Sequence, residues 1–183
     1  MSSVNVSLPG FNAPAAGFDQ PFEMLEACHE RVQRSLDLLL RVRQHVARQG
    51  HDADSRRAVA DVLRYFDLAA PLHHQDEELH LFPLLRAHPE PPVRAAVVQL
   101  EKEHRRMDAT WARLRALLLR WRDDAGPPVA SADEDALIDA FIALYQDHVP
   151  LEETLVYPAA RAALDTPALM NMGREMAARR KQG

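Results

Sequence analysis

Apolar residues recur along the chain at steps of three and four, the period of a helix that turns one face inward. The first stripe is Phe22, Leu25, His29, Val32, Leu36, Leu39 and Val46. Asp19 or Gln20 can cap this helix, and Pro21 suits its first turn because the missing N–H would be unpaired there anyway. Gly50 stops it after about Gln49. The second stripe, Val59, Val62, Phe66, Ala69, His73, Glu77, Leu81 and Leu84, predicts a helix capped by Asp52, Asp54 or Ser55 and ending near His88. Pro71 within it removes one backbone hydrogen bond and should kink the helix just before His73. A third stripe follows the HPEPP break at 88–92 and runs Val93, Val97, Leu100, His104, Met107, Trp111, Leu114, Leu118 and Trp121. The longest connection, RDDAGPPVASADED, ends on Ser131-x-x-Glu134, the spacing of a capping box. The fourth stripe then passes through Leu137, Phe141, Leu144, His148, Glu152 and Leu155 to about Leu164.

Four helices of about 29–34 residues joined by short or Pro-rich breaks predict an all-α fold, an antiparallel up-down-up-down four-helix bundle about 45 Å long. Residues 1–18 lack periodicity and read as an irregular leader, 19–165 as the bundle, and 166–183 as a short helix and tail. Thr166-Pro167 is the expected cap and first turn of that fifth helix, and the RRKQG end is expected to fray.

Polar residues interrupt these stripes in a repeating way. His148, Glu152, Glu153, Tyr157 and Pro158 each lie 75 positions after His73, Glu77, Glu78, Phe82 and Pro83. His104 stands in the same relation to His29, and Glu101 to Glu26. The chain therefore reads as a duplicated helical hairpin whose shared feature is a set of metal-type ligands. Residues four apart share a helix face, so His73 with Glu77 and His148 with Glu152 each aim a nitrogen and a carboxylate at one interior point. His29 and His104 add one imidazole from each remaining helix. A buried carboxylate without a partner costs several kcal/mol, of order, and no stripe offers a nearby Lys or Arg; Arg43 is more than three turns from His29. A bound cation is the economical explanation.

Four His and two Glu exceed the needs of one tetrahedral zinc and suit two six-coordinate metals. With both glutamates bridging, the protein supplies roughly eight of about twelve coordination positions; a bridging oxide or hydroxide supplies about two more, and about two stay open. The expected metal ligands are His29, His73, Glu77, His104, His148 and Glu152. His74 lies about 100° around the helix from His73 and is set aside as a ligand. His80 reads as an edge residue or a support to the ligands, and His45, His51 and His88 as solvated. Glu78 and Glu153 read as facing water, with hydrogen bonds to neighbouring ligands as the alternative; Cys28 reads as a small buried hydrophobe rather than a redox group, Trp111 and Trp121 as core, and Tyr157 as packing at the bundle end rather than a gate to the site.

Composition narrows the functional classes. With 22 Lys and Arg against 27 Asp and Glu, the net charge of −5 offers no general attraction to nucleic acid or anionic lipid. One cysteine excludes an intrachain disulfide and a Cys-x-x-Cys site, which fits a reducing compartment. No secretory leader or long apolar run is apparent, so a cytoplasmic protein without membrane or nucleic-acid partners is expected.

At the His and Glu positions the chain resembles the hemerythrin-like family, in particular its bacterial and iron-sensing members known as HHE cation-binding domains. The resemblance covers about residues 20–160 and extends to the Leu-Phe-Pro and Val-Tyr-Pro endings of the two motifs. It implies a four-helix bundle around a non-haem di-iron centre, with one His from each of two helices and His-x-x-x-Glu from each of the others. Oxygen-carrying hemerythrins of marine worms have a fifth histidine on the third helix, four residues after the first; Asp108 stands there in this chain. That departure points to the four-His, two-Glu subgroup, whose members sense iron or oxygen or repair iron–sulfur clusters. Repair members commonly carry an N-terminal cysteine-containing module, and the leader has no Cys.

The expected function is therefore a di-iron protein that binds or senses O₂, NO, peroxide or iron itself, closer to a metal-binding sensor than to a dedicated enzyme. Zinc or manganese can replace iron. The alternatives are iron–sulfur cluster repair or iron handling, and a ferritin-like oxidase suggested by Glu26-x-x-His29 and Glu101-x-x-His104. A homodimer or an unidentified protein partner is compatible with every one of these readings.

Overall fold

The computed structural model describes residues 17–123 and 131–181. The expected leader, apart from its last two residues, and the Gly-Pro-Pro part of the long connection lie outside the described residues.

Helix α1 spans Pro21–Gln49, with Pro21 in its first turn, and ends at Gly50, whose φ of 78° closes the turn through an N–H bond to Val46 O. The second rod begins with α2 (Ala53–Arg64). Of the candidate caps, Asp52 takes the role: its carboxylate accepts from the Ser55 N–H while the Ser55 hydroxyl serves the Asp52 N–H. A π-helical turn, Tyr65–Ala69, leads into α3 (Ala70–His80), and α4 (Phe82–Leu85) follows a one-residue break. The third rod, α5 (Pro91–Asp123), is unbroken. The fourth consists of α6 (Ala132–Gln146), α7 (His148–Leu151), a π-helical turn Glu152–Val156 and α8 (Tyr157–Ala163). Ser131 and Glu134 form the capping box that their spacing predicts. A fifth rod, α9 (Thr166–Arg180), is capped by Asp165 rather than by Thr166.

The rods close a ring, with α1 packed on α2, α2 on α5, α5 on α6 and α6 on α1. This is the neighbour pattern of an antiparallel bundle with short connections. Two apolar clusters fill it. One contains Val32, Leu36, Phe66, Met107, Phe141 and Tyr145; the other contains Phe22, Leu25, Phe82, Leu100, Val156 and Tyr157. The inward histidines and glutamates form a polar layer between them.

Both π turns precede a proline. Pro71 has no N–H to give and its ring crowds the turn before it, so the chain takes in one extra residue; the Ala70 N–H reaches Tyr65 O, five residues back. Two inward positions differ by one from the stripe, while His73, Glu77 and Leu81 keep their places in it. Ala70 is buried where the stripe predicts Ala69, and Leu85 is buried where it predicts Leu84, which is 37% exposed. In the fourth rod the Tyr157 N–H likewise reaches Glu152 O ahead of Pro158. There Val156 is buried in place of Leu155, and nearer the start of the rod Ile138 replaces Leu137.

Helix α9 is held at both ends. Met172 and Met176 enter the second apolar cluster, and Arg179 and Arg180 both bind the fully buried carboxylate of Asp76, at 2.6 and 2.7 Å. The expected fraying of the RRKQG end therefore does not extend to its two arginines. Gly173 faces the Phe18 carbonyl so closely that a Cβ would lie 1.8 Å from the oxygen.

Candidate metal centre

Each rod delivers its ligand-type residues from a helical segment whose apolar neighbours fix it. The six expected residues are brought together: His29 from α1, His73 and Glu77 from α3, His104 from α5, His148 from α7, and Glu152 at the start of the second π turn. Each is at most 7% exposed.

The carboxylates organise the centre by dividing their oxygens. Glu152 Oε2 lies 3.1 Å from His29 Nε2, while its Oε1 lies 3.0 Å from His148 Nε2 and 3.7 Å from His104 Nε2. Glu77 Oε1 lies 3.5 Å from His73 Nε2, and its Oε2 lies 3.5 Å from His104 Nε2. One oxygen of each glutamate thus faces the His29 and His73 pair, and the other faces the His104 and His148 pair. Ligand-type atoms of His29, His73, Glu77 and Glu152 lie within 4.8 Å of one another, and those of His74, His104 and His148 form a second such group.

The far sides of the rings are anchored. Nδ1 of His29 donates to Glu153 at 2.8 Å, Nδ1 of His104 to Glu78 at 2.9 Å, and Nδ1 of His148 to Glu103 at 2.8 Å. A hydrogen bond of this kind fixes the tautomer and leaves the Nε2 lone pair aimed inward, as metal-ligating histidines require. Glu78 and Glu153 are therefore more than a solvated face. Each keeps part of its surface in water while one oxygen holds a ring. Glu103 does the same from the residue beside His104, a role the sequence reading missed. Its repeat equivalent is Cys28, and the Nδ1 of the corresponding His73 has no hydrogen-bond partner.

Electrostatics separates the two glutamates. Burial and the facing charge of Glu152 push the Glu77 carboxyl well above the ordinary carboxylate range. Burial opposes the charge on Glu152 as well, but His148, His104 and His29 around it hold its carboxyl well below that range. Burial, with the neighbouring imidazoles adding to it, drives His73 and His74 well below the usual imidazole range. For His29 and His104 burial pulls the same way but is outweighed, by Glu152 and Glu153 for the first and by Glu152 and Glu78 for the second.

Several buried polar atoms have no hydrogen bond at all: Glu77 Oε2, both oxygens of Glu152 and His104 Nε2. Lone pairs that converge at 3.0–3.7 Å without hydrogen-bond geometry are costly in a protein interior, and a cation among them removes that cost. The donor set fits metal, with nitrogen and oxygen ligands and no thiolate among them.

Three expectations need correction. His74, set aside by its helical angle, is only 8% exposed and lies face to face with His104, ring centroids 4.0 Å apart. It follows the π turn Tyr65–Ala69, and both members of the His-His pair are buried. Tyr157 is more than packing: its ring stacks on His29, and its hydroxyl donates to Glu77 Oε1 at 2.5 Å and stands 3.1 Å from His29 Nε2. His51 is not a freely solvated ring; it stands edge-on to Trp121 with both nitrogens buried.

Other candidates fall outside the centre. His80 is an edge residue bound to Arg179. Glu26 and Glu101 pair at the surface with Arg161 and Arg86.

The Hemerythrin HHE cation binding domain model matches residues 20–160. The chain belongs to this family. Its buried groups of His and Glu, which could hold a metal ion, agree with a cation-binding description. An uncharacterized protein of Haemophilus influenzae is 34% identical over 170 residues, which cover 91% of this chain and 93% of that protein. Among the described residues no helix is long and apolar enough to cross a membrane.

Proposed function

We propose that this hemerythrin HHE domain holds two metal ions, iron in its working form, and uses them to bind or sense a small ligand such as O₂, NO or peroxide. The observation that supports it most is the division of each buried carboxylate between two imidazole pairs, the arrangement of a bridge between two ions. In this reading His29 and His73 hold one ion, His104 and His148 the other, and Glu77 and Glu152 span both. Bound iron would supply a redox-active Lewis acid for a small molecule.

The chain's own residues set what reaches that centre. Glu153, Glu78 and Glu103 hold three ring nitrogens in position, and the apolar layers above and below keep bulk water out. The cavity beside His29, His73 and Tyr145 measures about 10 Å³, room for about one water-sized molecule. A space of that size suits a small ligand such as a diatomic. Tyr157 places a hydroxyl at the His29 and Glu77 edge, where it can donate a hydrogen bond. The ferritin-like alternative loses its residues, since Glu26 and Glu101 lie in surface ion pairs.

The test is anaerobic iron reconstitution followed by elemental analysis and ultraviolet–visible spectra of the reduced protein before and after O₂ or NO. About two irons per chain and a ligand-dependent spectrum are expected. A chain that stays metal-free sinks the proposal. Two irons inert to both gases would instead assign the domain to iron handling.

A further inference from the structure

The two halves of the repeat are not equivalent around the centre, and His74 is the largest difference. Its repeat equivalent is Val149. Both side chains line the central cavity, but one brings an imidazole and the other hydrocarbon. The His74 ring is stacked on His104 and stands 6.3 Å from the ring of His148, and its ligand-type atom groups with theirs within 4.8 Å. His104 and His148 are tied back by Glu78 and Glu103, whereas among the described residues no hydrogen bond or ion pair reaches the His74 ring. An imidazole that stacks on one metal-type ligand and lines the cavity of the others brings donor atoms to a place that valine fills with hydrocarbon on the other side.

We infer that His74 is a fifth imidazole ligand of the centre, joining His104 and His148 on one ion while His29 and His73 alone serve the other. The inference rests on the two-metal reading above and adds to it a ligand and an asymmetry. Metal–nitrogen bonds of about 2.1 Å hold donors about 3–4 Å apart, so the three-histidine group needs to contract by at most about 2 Å. The ion on the His74 side then receives three nitrogens and one oxygen from each glutamate. Its neighbour receives two nitrogens and two oxygens, so the more open position lies on the His29 side, next to the Tyr157 hydroxyl. Asp108, one turn beyond His104, does not take this place: it is exposed and lines a second cavity, not the central one.

Cobalt(II) is the probe, added to the full chain after chelation. Its binding is followed by chelator competition, and its ligands are counted by proton NMR as hyperfine-shifted, exchangeable imidazole N–H signals. The wild type should bind two cobalt ions and show one such signal for each of His29, His73, His74, His104 and His148. His74→Phe keeps a stacked ring but has no donor. It should lose one signal and weaken one of the two ions by about tenfold or more, leaving the other within about threefold. His80→Phe, at the edge, should change neither readout. If the Phe variant does not fold, His74→Gln is read in its place, and the wild-type signal count decides without any variant. Two bound ions with signals for only four histidines, or His74 variants that keep both affinities within about threefold, overturn the inference and leave the two-metal reading standing. A wild type that takes up no cobalt overturns both.

Discussion

Glu77 and Glu152 occupy equivalent places in the repeat but carry opposite electrostatic loads. Glu152 sits among three histidines, so its negative charge is compensated even without metal. Glu77 has the Tyr157 phenol and the Glu152 carboxylate against it, with His73 and His104 only at 3.5 Å, so burial and the facing charge raise its carboxyl and we expect it to be the one that keeps a proton in the metal-free protein. Glu77→Gln then replaces one neutral group by another, and the chelated variant should stay within about 1 kcal/mol of wild type in urea unfolding at neutral pH. Glu152→Gln removes the partner of three imidazoles and should cost about 3 kcal/mol under the same conditions. The opposite order would show that the charge resides on Glu77. Tyr157→Phe, which copies Phe82 from the other half of the repeat, should leave the metal content at about two and cost the chelated protein about 1 kcal/mol through the lost hydrogen bond.

At the scale of elements, the caps and the proline-linked π turns decide where each rod starts and which side chains it turns inward. Asp52 shows how a cap responds to pH. The Ser55 backbone N–H and then His45 lower its carboxyl from 3.8 to about 2. A carboxyl depressed on folding stabilises when ionised. Its contribution is complete above pH 3.8 and disappears as the pH falls towards about 2. The melting temperatures of wild type and Asp52→Ala should therefore differ at pH 6 and converge across that window, and a difference that persists at its lower end would remove the cap from the account. Helix α9 responds to charge in another way. Arg179→Ala with Arg180→Ala leaves Asp76 buried without a cation and should cost about 3–5 kcal/mol in denaturant unfolding, and adding Asp76→Asn should recover part of that loss.

For the whole molecule, the polar layer between two apolar clusters makes metal binding and stability one problem. Ions bound only by the folded chain stabilise it by mass action, by about 2.7 kcal/mol when free metal is at about one hundred times the dissociation constant. Chelation should therefore lower the melting temperature and metal return should restore it. With His29→Ala and His104→Ala combined, one imidazole missing on each side, the response should shrink to near zero. A full response in that double variant would place the metal elsewhere.

Much of this was legible from the chain because it is local or periodic. Stripes at steps of three and four give the helices; Pro21, Gly50 and the Ser131-x-x-Glu134 box give their ends; and the offset of 75 picks out the six inward His and Glu residues. These features depend on neighbours one turn away or on self-similarity, and both are written in one dimension. What only the tertiary structure decided depends on small rotations and on meetings between distant rods. A proline announces a kink but not the π turn before it, and a single helical angle left out His74, which packing buries against His104. Glu153 reaching His29 from 124 positions away, and Tyr157 reaching Glu77 from 80, are likewise products of packing. The repeat could show that two halves correspond. How Cys28 and Glu103, Val149 and His74, or Phe82 and Tyr157 make them differ became meaningful only when the rods closed around one centre and brought groups from different elements together.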